Sequence, residues 1–129
     1  MPKTQSISTT RATDKKVRRI LIPTDFSESA HNAYLYGLHL AEDLGADITL
    51  FHAYQDTPAE TEYMPRTLVE AIRSEKIDFA NESFDIYLEE ASQDTGPNVK
   101  VEVVLEPGRA ANQICEVCER IEANMILMV

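Results

Sequence analysis

The chain has 129 residues, 43% of them hydrophobic and 26% charged, with a formal net charge of −10. That length suits one domain with a core of useful size, and no apolar run nears the ~20 residues of a membrane-spanning helix. So acidic a chain argues against binding a nucleic-acid backbone, which needs clustered Lys and Arg.

The two cysteines and the absence of a signal-like apolar stretch at the amino terminus point to a reducing cytoplasm. Charge is uneven: residues 1–19 hold six of the twelve basic residues but one acid, Asp14. Residues 1–16 are polar, rich in Ser, Thr and Lys, and lack periodicity. They read as a disordered tail before a domain spanning 17–129. A phosphorylated regulatory segment, or a basic arm docking on acidic surfaces, is the functional alternative for that tail.

Residues 17–22, with Ile20-Leu21-Ile22, form a short unbroken apolar run. Such a run suits a strand covered by helices on both faces. Pro23 lacks a donor and closes it. Ser27 is placed to cap the helix that follows, and Glu28 sits where the helix dipole favours negative charge. Asp25 therefore stands just outside the carboxyl end of a strand, where open α/β sheets bind ligands.

The first helix is expected over 27–44, with Ala30, Ala33, Tyr34, Gly37, Leu38, Ala41 and Leu44 on its apolar face and Gly45 as its C-terminal cap. His31 and His39 lie too far apart for a paired metal site and read as rim residues. Residues 47–53 form a second strand with His52 at its exit. Residues 55–66, with Pro58 and Pro65, read as a loop. A long helix over 67–92 should bury Val69, Ile72, Phe79, Ala80, Phe84, Tyr87, Leu88 and Ala91. Gly96-Pro97 breaks the chain.

Residues 99–105 alternate apolar and charged, as a half-exposed edge strand does. Pro107-Gly108 leads into a third helix, 109–122, with Ala111, Ile114, Cys115, Cys118 and Ile121 inward. Met125–Val129 is a continuous apolar run and reads as a fourth, central strand with Ile126 in the core. The order β-α-β-α-β-α-β with long crossovers demands parallel pairing and right-handed connections. The fold class is therefore α/β, a doubly wound parallel sheet with helices on both faces.

Ile20-Leu21-Ile22-Pro23-Thr24-Asp25-Phe26-Ser27-Glu28-Ser29-Ala30 resembles the opening of the universal stress protein family. The likeness continues through Ala46–Ala53 and Gly108–Ile114 and ends with Ala123-Asn124-Met125-Ile126-Leu127-Met128-Val129. It implies a Rossmann-like sheet related to adenine nucleotide alpha hydrolases, with strand order 3-2-1-4-5. It implies that Pro23, Thr24 and Asp25 flank the adenine and ribose of an adenine nucleotide. His52, Ala53 and Met128 would then form the adenine wall. A carboxylate suits ribose because it accepts hydrogen bonds from hydroxyls.

The family's ATP-binding members hold the triphosphate in a glycine-rich loop after the fourth strand. Here Val129 stands where the first glycine belongs, and a β-branched side chain resists the backbone such loops need. The sequence reads as truncated after the fourth strand, before the loop, a further helix and a fifth strand. The expected function is stress response by ligand binding and protein association, without ATP competence as the chain stands. The alternative is an ATP-binding member whose phosphate loop lies beyond Val129. No cofactor is certain, ATP or another adenine nucleotide being the one the resemblance allows. The exposed fourth strand calls for a homodimer or a tandem-domain partner.

Catalytic motifs are absent: there is no Gly-x-Ser-x-Gly elbow and no phosphate-binding GxxxxGK loop. The chain does not read as an enzyme. Cys115-Glu116-Val117-Cys118 is a CxxC, which in a redox protein stands at a helix N-terminus. Here it falls inside the helix on the expected buried face, and a zinc site would need two further ligands. A structural role is expected, with thiol redox chemistry as the alternative from another class.

Overall fold

The computed structural model describes residues 17–54, 63–94 and 99–128. Among the described residues seven elements follow one another: β1 (Arg19–Pro23), α1 (Glu28–Leu44), β2 (Asp47–Tyr54), α2 (Arg66–Asp94), β3 (Val101–Pro107), α3 (Ala110–Arg120) and β4 (Met125–Ile126). The strands form one sheet in the order β3-β2-β1-β4. All pairings are parallel, with Leu21 opposite Thr49 and Ile126, and Leu50 opposite Val103. The first four strands of the expected order are thus in place, and the fold is a Rossmann-like α/β sheet. Among the described residues no helix is long and apolar enough to cross a membrane.

Successive strand residues point to opposite faces, and the core divides accordingly. Ile20, Ile22, Ile48 and Leu50 pack with Tyr34, Leu38 and Ala41 of α1 and with Phe84, Tyr87 and Ala91 of α2. Leu21 and Phe51 face the other way and pack with Val117 of α3, bordered by Ile114, Cys118 and Ile121. The first cluster is much the larger, because among the described residues two helices cover that face and one covers the other.

The ends of α1 follow the sequence closely. The Ser27 hydroxyl accepts from the Ala30 N–H at 3.2 Å, and Gly45 takes the left-handed conformation and returns its N–H to the Ala41 carbonyl. Gly37 lies where α1 crosses β1. A Cβ there would stand 2.6 Å from Ile22 Cδ1 and 3.1 Å from Leu127 Cδ2. A branched side chain would lift the helix from the sheet. Gly37→Val is expected to destabilise by roughly 2–3 kcal/mol, the usual scale of overpacking, measured by chemical denaturation.

Several expectations need correction. Pro23 is the last residue of β1, which starts at Arg19 rather than 17. Phe79 is 59% exposed, so the buried stripe of α2 runs through Ala80, Phe84, Tyr87 and Ala91 without it. Val69, Ile72 and Leu88 are half-buried, and Leu44 on α1 is exposed. On α3, Ala111 and Cys115 face solvent, and Val117 is the residue fully buried. The inward stripe is Ile114, Val117, Cys118 and Ile121. It keeps Ile114, Cys118 and Ile121 of the expected face and puts Val117 in place of Ala111 and Cys115, a rotation of about half the roughly 100° step between neighbouring residues.

The fourth strand is shorter than expected. Only Met125 and Ile126 form the ladder, followed by a bond from the Leu127 N–H to the Leu21 carbonyl at 2.9 Å. Among the described strands β4 is an edge, and Ile126 is 38% exposed rather than part of the core. The tail 1–16, most of the expected loop 55–66, the break at Gly96-Pro97, and Val129 lie outside the described residues.

Candidate functional site

Parallel strands bring their carboxyl ends to one side of the sheet, and the turn leaving β1 meets the end of β2 there. Pro23, Thr24 and Asp25 from the first turn and His52 and Ala53 from β2 line one cleft of about 440 Å3. Met128, beyond β4, closes its side, so all six residues singled out from the sequence share it. Sequence reasoning did not name the other walls. They are Phe51 at the base, Ser27, Ser29 and Ala30 at the start of α1, and Ala110 and Ile114 on α3. The helix-start signal at Ser27 held the clue, since a helix that begins where a strand ends opens into this crevice.

The cleft has two characters. Ala53, Ile114 and Met128 offer apolar surface suited to a flat ring, over the fully buried Phe51. Asp25, Ser27 and Ser29 offer polar groups at the amino end of α1, where the helix dipole favours negative charge.

Asp25 is fixed by its own turn. Its Oδ1 accepts from the Ser27 N–H at 2.9 Å. The Ser27 hydroxyl foremost, and then that N–H, hold the Asp25 carboxyl below its ordinary value against a weaker push from burial. The side chain is exposed to the cleft and ionised at neutral pH. It is therefore an acceptor with no proton to give, the right partner for vicinal hydroxyls.

Thr24 is nearly buried and anchors that turn. Its N–H donates to the Phe51 carbonyl at 2.8 Å. Its carbonyl accepts from His52 Nδ1 at 2.8 Å, which fixes the proton on that nitrogen because a carbonyl can only accept. His52 thus spends one ring nitrogen on holding the loop of β1.

His31, read as a rim residue, is half-buried between α1 and α2. Its Nε2 lies 2.8 Å from both carboxylate oxygens of Glu90, and its ring lies 5.2 Å from that of Tyr87. Among the described residues no group of three or more His, Cys, Asp or Glu could hold a metal ion.

Cys115 is exposed, whereas Cys118 is half-buried and donates its thiol to the Ala123 carbonyl at 3.6 Å. Both lie inside α3 rather than at its amino end. In the folded protein a thiol reagent is expected to label Cys115 at least about tenfold faster than Cys118, since thiol reactivity follows exposure and thiolate character. Mass mapping of the modified peptides measures this; equal rates would mean that α3 opens readily.

The family model for the universal stress protein family matches residues 16–129. Among solved structures, the universal stress protein UspA of Lactobacillus plantarum aligns with a TM-score of 0.71 at 19% identity, covering 88% of this chain and 77% of that one. A universal stress family protein of Burkholderia pseudomallei aligns with a TM-score of 0.60 at 24% identity, covering 88% and 82%. A universal stress protein in complex with cAMP aligns with a TM-score of 0.57 at 14% identity, covering 86% and 70%. Among curated protein sequences no relative is detected. The matched model takes in every described element of the sheet and the residues that line the cleft, and the chain belongs to the universal stress protein family.

Proposed function

We propose that this domain is a non-enzymatic ligand-binding module of the stress response, and that its cleft takes an adenine nucleoside or nucleotide. The observation that carries the reading is the pairing, in one cleft, of an ionised carboxylate at Asp25 with the apolar wall of Ala53, Ile114 and Met128. A ribose would lie against the first and a purine against the second. The neighbour described in complex with cAMP supports an adenine nucleotide as the ligand class. The carboxylate and the apolar wall both address the nucleoside part of such a ligand, and this proposal places the affinity there.

The domain would act by association, with a second copy or a tandem domain as partner and the cytoplasm as its compartment. Supporting this, among the described residues Ile126 leaves apolar surface exposed on the edge strand β4, and such surface favours contact with another chain.

Calorimetric titration with adenosine, cAMP and ATP tests the reading. Adenosine and cAMP are expected to bind, with ATP within about tenfold of them, a difference of no more than about 1.4 kcal/mol. Failure of all three to bind would refute an adenine site. ATP binding far tighter than adenosine would relocate the affinity to the phosphates.

A further inference from the structure

We propose that Tyr87, on α2 and outside the cleft wall, is a positioning residue that fixes the Asp25 carboxylate through the Thr24 hydroxyl. The proposal rests on the reading of this cleft as the ligand site and adds what holds its polar end in shape.

The turn between β1 and α1 is a strained one. Phe26 has φ 64°, a left-handed conformation that residues other than glycine adopt only when their surroundings impose it. Two sets of contacts impose it here. The Phe26 N–H donates to Thr24 Oγ1 at 3.0 Å. The Phe26 ring is enclosed by His52, Phe84, Phe79 and Tyr87, with centroids at 4.6, 5.2, 5.8 and 5.8 Å. Phe79, exposed on α2, thus has a local duty, since its ring meets that of Phe26 edge to face.

Accepting from the Phe26 N–H leaves Thr24 Oγ1 with its own proton and a lone pair for a second partner, which would hold the oxygen in that place. The Tyr87 hydroxyl, 3.3 Å away, is that partner. Tyr87 is itself held hard: it is 5% exposed, its ring is stacked on Tyr34 at 4.6 Å and 13°, and its carbonyl accepts from the Tyr34 hydroxyl at 2.5 Å. The chain of contacts therefore runs from the packed α1–α2 interface through Tyr87 and Thr24 to Phe26. It ends at the Ser27 N–H that holds Asp25. A hydroxyl buried at this depth has a further reason to keep its partner, since leaving it without one is costly.

The test needs no ligand. NMR would follow the Asp25 carboxylate titration and the hydrogen exchange of the Phe26 and Ser27 amides, in wild type, Tyr87→Phe, Thr24→Val and Thr24→Ser. Tyr87→Phe keeps the stacked ring and deletes only the hydroxyl. It is expected to speed exchange at Phe26 and Ser27 by about tenfold, to leave the Ile48 and Leu50 amides of β2 unchanged, and to move the Asp25 titration up toward the ordinary carboxylate value. Thr24→Val should do the same and Thr24→Ser should restore wild-type behaviour. Adding Tyr87→Phe to Thr24→Val should have no further effect, as expected of two groups acting as one unit.

Tyr87→Phe with unchanged exchange and titration would overturn the proposal. So would faster exchange in β2 to the same degree, which marks general loosening. Failure of the chain to bind adenosine would refute the functional reading and leave these ligand-free readouts to decide the inference alone.

Discussion

Truncating Phe84 to alanine is expected to cost about 3–5 kcal/mol, read as a lowered midpoint in urea at unchanged slope. Phe84 is 1% exposed and joins α2 to the face of the sheet that carries Ile20, Ile22, Ile48 and Leu50. Removing the ring forfeits its burial and leaves a cavity between rigid elements that cannot close over it. It also removes one wall from the enclosure of Phe26, at 5.2 Å. The fit of the β1–α1 turn should therefore suffer along with global stability. Phe79→Ala is the control on the same helix. That residue is 59% exposed, touches Phe26 by its edge, and should cost about 1 kcal/mol, the scale of an aromatic pair with little burial. Losses of equal size would mean that α2 is rotated from the orientation described.

The contrast between the two phenylalanines shows where the sequence was legible. Periodicity places a helix over residues 67–92, but a 29-residue helix packed on a short sheet buries only part of any stripe. Ala80, Phe84, Tyr87 and Ala91 sit over the strands. Phe79 falls at the border of the stripe, where hydrophobicity alone cannot tell a core residue from one that caps a neighbouring turn. The parallel sheet and its alternating faces were readable because β1 and β2 are continuous apolar runs, which only a sheet covered on both sides explains. Ile126 went astray for the complementary reason. An apolar run signals a buried strand only when a neighbour covers both of its sides, and among the described strands β4 has a neighbour on one.

The site was legible as residues but not as roles. Pro23, Thr24, Asp25, His52, Ala53 and Met128 do converge on one cleft, and strand ends followed by helix starts made that convergence foreseeable. No pattern in the chain announced that His52 would donate to the Thr24 carbonyl, or that Tyr87, 63 positions away, would reach the Thr24 hydroxyl. Both depend on how a helix docks on the sheet. The left-handed Phe26 was equally hidden, because its conformation is imposed by the rings around it and not by its own preference.

Replacing Asp25 with alanine is expected to abolish adenosine binding while leaving the fold nearly intact. The carboxylate is exposed and packs against no part of the core, so its removal leaves no cavity. The loss to the fold is the acceptor for the Ser27 hydroxyl and N–H, which water can replace at the surface. The loss to a ligand is larger, since a charged acceptor bonds a hydroxyl about twice as strongly as a neutral one. Asp25→Asn should fall between, keeping an oxygen but not the charge. The pH dependence separates this residue from its neighbours. Its folded-state pKa is depressed, so its contribution to stability is present above the unfolded value of about 3.9 and is lost as pH falls through the lower folded value. The contribution is small because the group is solvated, and the stability difference between wild type and Asp25→Ala should vanish in strong acid. Adenosine affinity resting on this carboxylate should accordingly stay flat from neutrality to about pH 5, well above the range in which Asp25 takes up a proton. An affinity that already declines between about pH 7 and pH 6 would assign the ligand's main polar contact to a group titrating nearer neutrality, and would move the ribose away from Asp25.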